Sequence, residues 1–219
     1  MPEMDFYLFE TVYGSWDIGL RFLDRHIARL SASAHALGFA FDLEKVRAEV
    51  FRCETNFLQG APQRVRIRLE RSGTVEVQSY PLQPLHSQLV GLLLGEDWGF
   101  SPQCSSNPLL LHKTSLRDEY DRGWQFAESK GAFDLLFMNE RSELTEGGRT
   151  NIFLQVENRW YTPPLASGVL PGIMRGLLLE DRQFGAKEKV LFVDDLLKAD
   201  QILLCNSLRG GINAELTSR

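Results

Sequence analysis

Little in this sequence points to a disulfide, a metal or a nucleic-acid partner. Its three cysteines, Cys53, Cys104 and Cys205, are odd in number and far apart, which fits reduced thiols and offers no zinc spacing. The four histidines, His26, His35, His86 and His112, lie in separate segments, so a metal site gains no support from them. With 24 Lys and Arg against 29 Asp and Glu, the formal charge of -5 lacks the basic excess that a phosphate backbone demands of a partner. No apolar run approaches the roughly 20 residues that span a bilayer, which argues against a membrane partner. No charged leader pattern precedes an apolar stretch at Met1-Pro2-Glu3-Met4-Asp5, so a soluble, cytoplasmic location is the expectation. Internal repeats and low-complexity tracts are lacking as well.

What is present suits a folded globular protein. At 219 residues and 43% hydrophobic, the chain can form one large domain or two small lobes. Phe6 to Tyr13 is β-branched and aromatic and runs into Gly14, which predicts an opening strand with a pocket rim at its end. Asp24 precedes a helical pattern in which Ile27, Leu30, Ala34 and Leu37 share a face until Gly38, and Asp42 is placed to cap a second through Leu43, Val46, Val50 and Phe51. Arg64 to Leu69 alternates strictly, then Ser72-Gly73 turns into Thr74 to Val77, a hairpin whose arginine row suits either an anion or, the favoured reading, a solvated face opposite Glu70 and Glu76. A third strand is expected over Gln88 to Leu94, and a linker near residues 96 to 108, where Gly, Ser, Asn and Pro collect. Beyond it the pattern predicts a helix from Arg117 to Lys130, strands at Leu135 to Phe137, Asn151 to Val156 and Trp160-Tyr161, a helix from Gly172 to about Phe184 and a strand at Ile202 to Leu204.

Four short segments carry chemistry. Lys113 stands in Leu111-His112-Lys113-Thr114-Ser115-Leu116-Arg117, after the apolar Leu109 to Leu111 that predicts a partly buried strand, where desolvation favours a neutral amine. Glu146 lies in Leu144-Thr145-Glu146-Gly147-Gly148-Arg149-Thr150-Asn151, where the Gly-Gly turn lets a flat ligand approach the backbone. Leu170-Pro171-Gly172-Ile173-Met174-Arg175 reads as a helix start, whose unpaired N–H groups suit a phosphate. Arg29, in His26-Ile27-Ala28-Arg29-Leu30, offers a guanidinium fork for the same anion.

In this order these segments resemble the class IV (fold type IV) pyridoxal-phosphate enzymes, over about Phe6 to Leu208 and most strongly from Lys113 to Arg175. The resemblance implies a two-lobed α/β fold like that of D-amino acid aminotransferase, which the composition shift divides into a small N-terminal α/β lobe over residues 1–100 and a larger mixed lobe over 101–219 that carries the cofactor lysine. It implies that pyridoxal 5'-phosphate is held covalently by Lys113, at its ring nitrogen by Glu146, and at its phosphate by Arg29 and the amides of Ile173 and Met174. Thr150, Gly172 and Ser207 complete the implied cofactor set.

Within the family, Leu8-Phe9-Glu10-Thr11, His112-Lys113-Thr114, Arg117, Tyr120 and Cys205 to Gly210 look most like the aminodeoxychorismate lyase branch, including the lyase domain fused to aminobenzoate synthase component I. That branch converts 4-amino-4-deoxychorismate to 4-aminobenzoate and pyruvate for folate. Lys113 then moves the proton and Thr11 serves the leaving group, while Arg209 and Arg149 receive substrate carboxylates. A homodimer and an association with an aminobenzoate synthase component are implied partners. A branched-chain or D-amino acid aminotransferase and a degenerate, non-catalytic synthase partner stay open as alternatives. Two departures are visible: family members carry about one more β-rich segment before the Glu-Thr strand, and Met174 stands where some aminotransferases have a threonine hydroxyl.

Overall fold

Alternation of large apolar residues with polar ones sets up the first sheet. In the computed structural model, which describes residues 5–217, β1 (Leu8–Ser15) buries Leu8 and Val12 on one face and turns Phe9, Thr11 and Tyr13 to the other. Met1 to Met4, nearly all of the stretch read for a leader pattern, lie outside the described residues. Gly14 continues the strand to Ser15 and is required by space, since a Cβ there would come within 2.8 Å of the Phe57 ring and 2.9 Å of Leu20. The short β2 (Gly19–Leu20) folds back on β1.

Two helices cover the apolar face. α1 (Leu23–Leu37) stops at Gly38, whose φ of 69° closes the C-terminal turn as only glycine does cheaply. α2 (Leu43–Glu54) is capped as the sequence predicts: the Asp42 carboxylate accepts from the amides of Glu44 at 3.0 Å and Lys45 at 3.2 Å. Val46 and Val50 enter the core, whereas Leu43, the first residue of the helix, and Phe51, one position past the buried stripe, are exposed. The hairpin β3 (Gln63–Leu69) and β4 (Val75–Pro81) turns at Gly73, with φ of 84°, and completes a sheet ordered β2-β1-β3-β4. Leu8, Val12, Ile27, Leu30, Val46, Val65 and Ile67 form its core.

The second sheet has eight strands. β5 (Leu89–Leu94), β6 (Asp134–Met138), β7 (Leu144–Gly147), β8 (Asn151–Val156), β9 (Arg159–Thr162), β10 (Lys187–Glu188), β11 (Gln201–Asn206) and β12 (Gly210–Leu216) take the order β10-β9-β8-β11-β12-β5-β6-β7. Curling lets Leu92, Leu136, Leu144, Ile152, Leu204 and Ile212 meet in one core with Leu191 and with Leu196 of α5 (Val193–Leu197). The other face packs Leu135 and Phe137 on α3 (Asp118–Ser129), and Phe153 and Cys205 beside residues of α4 (Ile173–Glu180).

Residue contacts divide the chain into Met1–Pro84 with His112–Leu116, and Leu85–Leu111 with Arg117–Arg219. This differs from the boundary near residue 100 read from composition, for a definite reason: β5 pairs in parallel with β12 and β6, not with the β3–β4 hairpin. The expected linker is also part of the second unit. Gln103 donates its amide to Met138 at 2.7 Å, and Phe100 and Trp98 pack on Phe126. The apolar Leu109 to Leu111, expected as a strand, is a single 3-10 turn at Pro108–Leu111, and the segment with Lys113 joins the first unit. α4 ends at Glu180, short of Phe184, because Asp181 turns back to accept the amide of Gln183 at 2.8 Å. No helix among the described residues is long and apolar enough to cross a membrane.

Asp42→Ala is expected to lower the unfolding free energy by about 1 kcal/mol, seen as a lower denaturation midpoint with an unchanged denaturant slope; a chemical denaturation curve of each protein measures both.

Candidate active site

Lys113 is held by backbone pairing to β1. Phe9 donates its amide to the Lys113 carbonyl at 3.0 Å, Ser115 donates to the Tyr7 carbonyl at 2.9 Å, and Leu8 faces Thr114 across an antiparallel bridge. Extended backbone sends neighbouring side chains to opposite sides. Thr114 is therefore buried, whereas the Lys113 ammonium lies 4.6 Å from the centre of the Phe9 ring. His112 bonds through Nδ1 to Ser33 Oγ at 2.9 Å, which ties the segment to α1, and burial moves its pKa down so that the ring is neutral near pH 7.

The face of β1 that carries Phe9 also carries Thr11, which stands opposite Arg66 in register. The Arg66 guanidinium lies 4.3 Å from the Phe9 ring centre and donates to the Tyr7 hydroxyl at 3.3 Å, and it pairs with no carboxylate among the described residues. The arginine row read as a solvated face thus has one member over the ring that also meets Lys113. Arg68 does pair with Glu70, as that reading implied.

Arg29 has a partner that sequence reasoning missed. Its Nε donates to Glu10 Oε1 at 2.9 Å and its Nη2 to Oε2 at 2.6 Å, a bidentate fork, while His26 Nδ1 meets the same Oε2 at 2.7 Å. Glu10 and His26 are both fully buried. Burial alone would raise the Glu10 pKa, but the Arg29 charge and the bonds from His26 and Arg29 outweigh it and bring the carboxyl from 4.5 down to about 2. Because Glu10 is ionised, His26 Nδ1 must carry the proton between them, and its Nε2 is buried without a hydrogen-bond partner. Glu10 sits in an apolar strand pattern, and only its charge inside that pattern hints at a buried partner.

In the second unit, Glu146 is buried near the end of β7. Tyr120 donates its hydroxyl to Oε1 at 3.0 Å and Asn151 donates Nδ2 to Oε2 at 3.0 Å. The Gly-Gly turn after it serves the protein itself. Buried Asp134 accepts from the amides of Gly148 at 2.9 Å and Arg149 at 3.1 Å and from Thr150 Oγ1 at 2.7 Å. A Cβ on Gly147 would strike Asp134, and one on Gly148 would come within 2.6 Å of the Tyr120 carbonyl. The glycines therefore make room for a buried carboxylate and a helix rather than for a flat ligand alone.

Thr150, expected among the cofactor groups, spends its hydroxyl proton on Asp134. Arg149, expected to receive a substrate carboxylate, instead donates to the Phe133 carbonyl at 2.6 Å, pairs with Glu128 and stacks on Trp124 and Phe133, which holds the turn. At the start of α4, Gly172 is the N-cap and Gly176 is the first residue to donate back to it, so the amides of Ile173 and Met174 have no acceptor within the helix. A Cβ at Gly172 would collide with Asn151 Oδ1, so only glycine leaves this start open. Ser207 and Arg209 lie in the turn from β11 to β12, where the Arg209 amide donates to Asn206 Oδ1 at 2.9 Å.

The chain matches the family of class IV amino-transferases over residues 7–215. A Schizosaccharomyces pombe protein described as "Putative aminodeoxychorismate lyase" is 32% identical over 205 residues, spanning 92% of this chain and 86% of that one. The crystal structure of a "Putative amino-acid aminotransferase" from Mesorhizobium loti superposes with a TM-score of 0.88 at 34% identity, covering 97% of this chain and all of that one, 100%. A Mycobacterium tuberculosis structure described as "A hypothetical aminotransferase", in its PLP-bound form, shares the fold with a TM-score of 0.83 over 97% of this chain and 82% of that one at 20% identity. Fold and site together define a fold type IV enzyme. The chain belongs to the class IV aminotransferase family and is a pyridoxal-phosphate-dependent enzyme.

The residues present suit that cofactor. The open start of α4 matches a phosphate, the buried and doubly hydrogen-bonded Glu146 matches a protonated ring nitrogen, and the Lys113 amine matches the aldehyde.

Because the folded pKa of Glu10 lies below its unfolded value, its stabilisation is fully present above pH 4.5 and is lost as pH falls through about 2. The stability difference between wild type and Glu10→Gln should therefore be largest near neutral pH and shrink across that interval, as urea unfolding at stepped pH will show.

Proposed function

We propose that this enzyme is a 4-amino-4-deoxychorismate lyase that releases pyruvate and leaves 4-aminobenzoate, a step of folate synthesis. The observation that carries this reading is the shared Phe9 face: Lys113 and Arg66 both lie over one ring, and Thr11 is the next residue on that side of the strand. A lyase acting on a dicarboxylate needs a base, a proton donor for the departing enolpyruvate and a cation, and this face offers one of each. The similarity to the Schizosaccharomyces pombe protein supports the same choice.

When bound, pyridoxal phosphate supplies an electron sink for the carbon next to the substrate nitrogen. Lys113 removes the proton from the amine-bearing ring carbon. Thr11 gives a proton to the leaving enolpyruvyl group, which becomes pyruvate, and aromatisation of the ring drives the cleavage. Glu146 neutralises positive charge at the cofactor ring, Ile173 and Met174 offer amides to its phosphate, and Arg29, oriented by Glu10, adds a cation there. Arg66 and Arg209 receive the two substrate carboxylates. The enzyme works as a cytoplasmic homodimer, alone or with an aminobenzoate synthase component.

A second reading, an amino acid aminotransferase, is favoured by the similarity to the Mesorhizobium loti protein. The two separate in one assay. Supplied with freshly made aminodeoxychorismate, the wild type should yield 4-aminobenzoate and pyruvate in equal amounts, and Lys113→Ala should lose about 10³-fold or more of the rate. Turnover of D-amino or branched-chain amino acids with a 2-oxo acid, and none of aminodeoxychorismate, would favour the aminotransferase.

A further inference from the structure

The Glu146 carboxylate is gripped from two elements at once. Tyr120 reaches it from α3, its ring fixed edge-on against Phe137 with centres 5.2 Å apart, and places one O–H on Oε1. Burial, followed by the charge and hydrogen bond of Glu146, raises the Tyr120 pKa well above 10, so the phenol stays a donor. Asn151, the first residue of β8 and itself buried, places one N–H on Oε2 and also donates to the Leu170 carbonyl at 3.1 Å. Its amide orientation follows from chemistry, since both neighbours on that side are acceptors and a flipped Oδ1 would oppose them. Asn151 Oδ1 in turn lies where a Cβ of Gly172 would be.

We propose that Tyr120 and Asn151 are positioning residues that hold Glu146 with one neutral donor on each oxygen, and that Asn151 fixes the spacing between this carboxylate and the phosphate-binding start of α4. The inference rests on Glu146 facing the cofactor ring nitrogen. Donors on both oxygens suit that role because they keep the buried carboxyl ionised and fix where its charge lies. An arginine in place of Tyr120 would cancel the charge the ring needs.

The test uses holoenzyme reconstituted with pyridoxal phosphate labelled with ¹⁵N in the ring, whose chemical shift distinguishes protonated from neutral nitrogen. Tyr120→Phe keeps the ring and removes only the hydroxyl, and should lower the pH midpoint of ring deprotonation by about 1 unit, a tenfold change in proton affinity. Asn151→Ser should act in the same direction and also weaken cofactor affinity about tenfold, measured by equilibrium dialysis; it serves if Tyr120→Phe does not fold. In a Glu146→Gln background, Tyr120→Phe should shift the midpoint no further, because both act through one carboxylate. An unchanged midpoint in folded Tyr120→Phe, or the same drop persisting in the Glu146→Gln background, overturns the proposal. A Glu146→Gln midpoint equal to that of wild type overturns the placement of Glu146 at the ring, and the proposal with it; the single and double variants therefore separate the two failures.

Discussion

A carboxylate removed from water costs several kcal/mol unless donors replace the lost hydration, and three such groups brace the candidate residues, one in the first unit and two in the second. Glu10 is met by Arg29 and His26, Asp134 by the amides and hydroxyl of the turn from Gly148 to Thr150, and Glu146 by Tyr120 and Asn151. Each solution fixes a functional element. Arg29 is oriented because Glu10 must be paired, and the chain beyond Glu146 takes its path because Asp134 must be satisfied. The start of α4 is spaced from Glu146 because Asn151 serves both Glu146 and Leu170.

The donors differ in kind, and the difference follows function. Glu10 receives a guanidinium, so its charge is cancelled locally and its role is to orient. Glu146 accepts one hydrogen bond on each oxygen, from Tyr120 and from Asn151. Asp134 receives backbone amides and a hydroxyl, and burial raises its pKa even against those bonds. The same kind of group is therefore met by a cation, by side-chain donors and by backbone amides in three surroundings.

Much of the fold was legible in local chemistry. Asp42 before an apolar helical stripe, Gly38 after one, and Ser72-Gly73 between alternating runs each fix backbone geometry within a few residues, and the structure follows them. Several failures share one cause: they depend on which distant segment pairs with which. β5 reads as a strand, yet nothing within it tells that β12 and β6 are its neighbours. The Gly-, Ser- and Pro-rich stretch after it looked like a linker because its partners, Met138 and Phe126, lie far along the chain. β12 was legible in principle, since Ile212 and Ala214 alternate with polar residues, but two glycines at its start obscured the pattern. Lys113, Glu146 and the Gly172 helix start were visible as motifs, and Glu10 and Tyr120 stood within motif segments, but their partners, like those of Asn151 and Asp134, emerge only from tertiary contacts.

The claim on which the chemistry turns is that the Lys113 amine carries the cofactor. Incubation with pyridoxal phosphate, borohydride reduction and peptide mapping by mass spectrometry address it directly. A phosphopyridoxyl adduct confined to Lys113 is the predicted result. An adduct spread over surface lysines, or none at all, would contradict the account.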